Sequence, residues 1–76
     1  MTKVYVLSIV ETWEVDLATE VIEDVRARVR VFASEQRAIH AEEAAHFRKG
    51  MNLIASTGFA RLVDVSTSIV QQEIIQ

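Results

Sequence analysis

Two consecutive stretches in the first half of the chain alternate with period two, and together they carry more apolar residues than one buried face can hold. In KVYVLSIVETWEV the odd positions Tyr5, Leu7, Ile9, Trp13 and Val15 share one face, and the even positions Val4, Val6, Ser8, Val10 and Thr12 share the other. A strand that is apolar on both sides is covered twice, or has one side waiting for a partner. In VIEDVRARVRVFA the odd positions Val21, Val25, Ala27, Val29, Val31 and Ala33 form a cleaner apolar face, while the even ones carry Asp24, Arg26, Arg28 and Arg30.

The two stretches predict a β-hairpin, although the DLAT between them lacks the Asn-Gly or Gly-Gly signal of a two-residue turn. Matching the odd apolar faces centres the turn near Ala18 and sets Tyr5, Leu7 and Ile9 opposite Val31, Val29 and Ala27. The three arginines then stand on the outer face, where the stems of Arg26 and Arg30 cover Val10 and Val6 and the guanidiniums stay wet.

At Ser34 the rhythm becomes helical. Ser34 is a candidate N-cap through its hydroxyl, and Glu35 sits where the helix dipole favours an anion. Ala38, Ala41, Ala44 and Ala45 form a flat stripe suited to close packing on a sheet, with Met51 at its edge and Ile39 and Phe47 outside it. The helix is expected to end between residues 50 and 55, with Gly50 an alternative left-handed stop after Arg48 and Lys49 and Gly58 the furthest limit. The β-branched FARLVDVSTSIVQQEIIQ predicts one or two further strands; its last part, with Ser66 as a cap, is the alternative helix. The expected fold is α+β, an antiparallel sheet (ββαβ or ββαββ) with one helix packed on one face, residues 1–76 forming a single domain. The open face of that sheet shows Val4, Val6, Val10, Ile22 and Phe32.

Size makes the open face matter. A chain of 76 residues buries only about 60% of its unfolded surface, and such small cores are usually supplemented by disulfides, a metal or association. With no cysteine and two histidines, disulfides and a closed structural zinc site are excluded, and association remains. No apolar stretch is long enough to span a membrane as a helix, and the N-terminus lacks the pattern of a signal peptide, so a cytoplasmic setting is expected. The net charge of −3 is segregated: Glu11, Glu14, Asp16, Glu20, Glu23 and Asp24 precede a block containing Arg26, Arg28, Arg30 and Arg37.

Candidate chemistry is sparse. In EEAAH, Glu42 and Glu43 precede His46 at helical spacing, but a metal cage needs a second such motif and none is present. The serines lack any nucleophile elbow, so neither an enzyme nor a cofactor is expected. Arg26, Arg28 and Arg30, about 7 Å apart along a strand, could track phosphates, with Phe32 on the same row. The acidic tip, with Trp13 as an aromatic anchor among Glu11, Glu14, Asp16 and Glu20, could instead contact a basic groove on a protein.

The run VRVFASEQRAIHAEEAA, with the strand KVYVLSIVETWEV before it, resembles the strand, cap and Ala-rich helix of the small DpnD/PcfM-like proteins of phages and mobile elements. It is similar also to several anti-CRISPR proteins, short acidic phage products that block a CRISPR effector by binding it. The resemblance implies a phage-encoded inhibitor that blocks a host defence complex by steric binding. The residues by themselves favour a protein-binding, homo-oligomeric module, with Val4, Val6, Val10 and Phe32 as a dimer face. A nucleic-acid binder using the arginine row is the alternative.

Overall fold

The computed structural model describes residues 2–55 and 58–75. These form β1 (Thr2–Leu17), β2 (Glu20–Phe32), α1 (Glu35–Phe47), β3 (Asn52–Ala55) and β4 (Gly58–Ile74). The strands make one antiparallel sheet in the order β2-β1-β4-β3, with α1 packed on one face. This is the expected α+β class, in its ββαββ form. The C-terminal stretch is strand from Gly58 to Ile74, so Ser66 lies inside β4 and caps nothing.

The 16 residues of β1 reach roughly 53 Å at the rise of an extended strand, and the longest dimension of the molecule is 54 Å. The 13 residues of α1 cover only about 20 Å. Its roof is therefore partial. Ala38 and Ala45 are buried and Ala41 packs against the core, while Ala44, Ile39 and Phe47 are exposed. Beneath the helix lie Leu7, Ile9 and Trp13 of β1 with Leu62 and Val65 of β4.

The hairpin register differs by one residue from the one periodicity suggests. Leu17 pairs with Glu20 around Ala18 and Thr19, so Tyr5 faces Phe32, Leu7 faces Arg30, Ile9 faces Arg28 and Glu11 faces Arg26. A turn of two residues has its centre between them, and every odd residue of β1 then meets an even residue of β2. The slip inverts β2 completely. Arg26, Arg28 and Arg30 stand on the helix side, and Val21, Val25, Val29 and Val31 join Val4, Val6 and Val10 on the open side. Phe32 moves with the arginines: it is half-buried against the core and opposite Tyr5, and forms no part of the open face. Ile22 likewise faces Val15 on the helix side. The arrangement is tolerable because α1 lies over β1 and β4, leaving β2 at the rim where guanidiniums reach water. No described non-glycine residue has positive φ, so the turn at residues 18–19 is not of type I′.

A β-bulge corrects the parity on the other side of β1. Thr12 pairs with Asp64 but Trp13 pairs with Leu62, leaving Val63 as the extra residue. Leu62 and Val65, three apart, can then both face the helix and be buried. The main chain after α1 reinforces this point: the Gly50 N–H donates to the Leu62 carbonyl at 2.7 Å and the Leu62 N–H to the Met51 carbonyl at 2.9 Å. Gly50 has φ 91, a left-handed conformation that permits the reversal. The helix itself ends at Phe47, earlier than residues 50–55. Ser34 occupies the N-cap in an extended conformation, but its hydroxyl makes no capping hydrogen bond.

Candidate functional site

Two surfaces stand out, one on each side of the sheet. The open side carries a band of valines across three strands: Val6 lies between Val31 of β2 and Val70 of β4, with Val10 and Val29 beside them. Val31, Val29 and Val70 are 61%, 63% and 58% exposed. Contiguous apolar surface of this kind is unusual on a small monomer. Its β2 half was missed from the sequence although the signal was plain, because the cleanest apolar alternation was assigned to the core.

The acidic tip is divided by the sheet. Glu14 and Asp16 are on the open side, Glu14 between Glu23 and Arg61 and Asp16 between Val21 and Phe59. Glu11, Trp13 and Glu20 are on the helix side, where Trp13 is 6% exposed in the core beside Leu62 and Glu11 is equally buried. The tip therefore does not present Trp13 as an exposed anchor. Nor is the arginine row a free comb: Arg26 Nε donates to Asp24 Oδ2 at 2.9 Å, and the Arg30 guanidinium stacks 4.9 Å from the Phe32 ring centroid. Among the described residues Arg28 alone of the three has no such partner.

On the helix side, a cleft of about 360 Å³ is lined by Glu11, Trp13, Arg26, Arg28, Arg48 and Leu53. β1 supplies Glu11 and Trp13, β2 the two arginines of its rim, the end of α1 supplies Arg48, and β3 returns Leu53. Arg48 Nη1 stands 3.2 Å from Glu11 Oε2. That distance makes an ion pair, yet the guanidinium is not aligned to donate, and Oε2 is buried without a hydrogen bond. Trp13 Nε1 is buried and unpartnered as well. Buried polar atoms are nearly always satisfied in folded proteins. Arg48 and Leu53 escaped the sequence reading since only the helix end and the β3 return bring them here.

Glu42 and His46 do come together, on Thr67 of β4. The Thr67 hydroxyl donates to Glu42 Oε2 at 2.9 Å and is 2.7 Å from His46 Nε2. Its single proton being used, it accepts from the His46 Nε2–H, and the three side chains clip α1 to β4. Glu43 takes no part in this clip. Among the described residues no group of three or more His, Asp or Glu side chains could hold a metal ion, and no helix is long and apolar enough to cross a membrane. No family model matches the chain, and neither a curated protein nor a solved structure is significantly similar to it.

Proposed function

We propose that this chain is a small interaction protein acting by association and without chemistry, and that the partner of its open face is a second copy of itself. The observation that carries this reading is surface in excess. A monomer of 8.6 kDa is expected to expose about 4,700 Å², whereas this one exposes 5581 Å². The difference, about 900 Å², is close to the share each partner contributes to a standard interface. The radius of gyration, 15.8 Å, also exceeds the roughly 11 Å of a compact chain of this length. Two copies stacked by their valine bands form a sandwich with a shared apolar layer, the second cover that a strand apolar on both sides requires.

Light scattering tests it directly. The expected mass is 17.2 kDa, twice the chain's 8.6 kDa, at about 100 µM protein, a concentration at which even a micromolar dimer is well populated. The double substitution Val29→Thr, Val31→Thr keeps β-branched side chains and should weaken self-association at least tenfold with an unchanged far-UV spectrum. A stable 8.6 kDa particle would refute the reading, and a dimer that withstands the double substitution would show that the valines are not its interface.

The resemblance to phage proteins supports a narrower form: an anti-CRISPR-like inhibitor in the host cytoplasm that blocks a nucleic-acid-binding defence complex by steric binding, with Glu14 and Asp16 as contacts. A defined CRISPR effector whose target cleavage is undiminished by the protein removes this form and leaves the broader one standing.

A further inference from the structure

We infer that the helix-side cleft is a binding site for a carboxylate carrying a hydrogen-bond donor on its α position, the chemistry of an N-acyl amino acid and of a peptide C-terminus other than proline. Three guanidiniums line the cleft with one carboxylate among them, in a protein whose net charge is −3. Arg26 is paired with Asp24 and Arg48 with Glu11, so the unmatched charge is the single positive charge of Arg28. That balance suits a monoanion better than a dianionic phosphate, which Glu11 would repel. Planar carboxylates also match the fork of arginine.

Two buried atoms state the rest of the requirement. Trp13 Nε1–H lacks an acceptor and Glu11 Oε2 lacks a donor, and both side chains line the same cleft. A carboxylate oxygen satisfies the indole, and an adjacent amide N–H satisfies Oε2. Leu53 and the Trp13 ring supply an apolar wall for the ligand's side chain. The orphan atoms are covered in the unliganded protein, so occupancy requires a side chain lining the cleft to move aside. This surface lies opposite the valine band, so its occupancy does not depend on self-association.

The chain has one tryptophan, and its indole N–H gives one isolated proton resonance. Titrating the full chain with N-acetyl-leucine should move that resonance saturably. N-acetyl-leucinamide, 4-methylpentanoate and inorganic phosphate, lacking respectively the charge, the donor and the planar monoanion, should each bind at least tenfold more weakly. Arg28→Ala should lower affinity for N-acetyl-leucine at least tenfold while leaving the unliganded indole resonance in place, and Trp13→Phe, followed by backbone amide shifts, should lower it severalfold. Tighter binding of an N-acetylated tripeptide ending in leucine assigns the site to protein C-termini, whereas equal binding assigns it to free acyl amino acids. The proposal is overturned if the indole does not respond, if the amide or phosphate binds as well as the acid, or if Arg28→Ala binds undiminished.

Discussion

Replacing Arg48 with methionine should destabilise the protein far more than a surface substitution does, because it strands a buried carboxylate. Glu11's side chain is 8% exposed and Arg48's 36%, with 3.2 Å between the charged atoms. At an effective dielectric constant of about 20 the gross attraction is about 5 kcal/mol. Solvent around the half-exposed guanidinium screens much of it. The net cost therefore falls between the roughly 3–5 kcal/mol for truncating a fully buried pair and the 0–1 kcal/mol of a surface one, at about 2 kcal/mol. With a urea dependence near 1 kcal/mol per molar for a chain this small, the unfolding midpoint should drop by about 2 M. Arg48 also faces the negative end of α1, a contribution that does not involve Glu11. A double-mutant cycle separates the two: Glu11→Gln, Arg48→Met and the pair together, at one protein concentration, should give a coupling of at least about 1 kcal/mol. Additivity within about 0.3 kcal/mol would show that the two side chains do not stabilise one another.

Three further outcomes follow from packing and backbone. Leu62 is fully buried and Leu53 is 53% exposed, so in urea unfolding Leu62→Ala should cost about 2–5 kcal/mol and Leu53→Ala under about 1 kcal/mol; equal costs would contradict the bulge-directed burial of Leu62. Gly58 has φ 151, and a Cβ there would overlap the Asp16 carbonyl oxygen, whereas Gly50 opens onto free space. Gly58→Ala should therefore lower the thermal midpoint well beyond Gly50→Ala, whose cost is confined to backbone strain of about 1 kcal/mol. Thr67→Val removes the hydroxyl shared by Glu42 and His46 and should cost about 1 kcal/mol in chemical unfolding, so an unchanged stability would make that clip ornamental.

By itself the amino-acid order indicated two long alternating stretches, an alanine-striped helix after Ser34 and a β-branched end, but not β3 (Asn52–Ala55), which falls where the helix was expected to run on. It also determined that the sheet has apolar residues on both sides. Which residues share a side was decided by the tertiary structure. Period two defines faces only relative to a register, and the register depends on whether the loop holds an odd or even number of residues. Ala18 and Thr19 form an even turn, which the absence of an Asn-Gly signal concealed, and one residue of difference carried Arg28 to the helix side of the sheet and Val29 to the open side. The bulge at Val63 is equally silent, since nothing in RLVDV marks the residue that drops out of pairing. The cleft required more still: Glu11, Arg28, Arg48 and Leu53 come from four elements, and their meeting depends on where α1 stops and how β3 returns, which are packing outcomes and not properties of any local stretch.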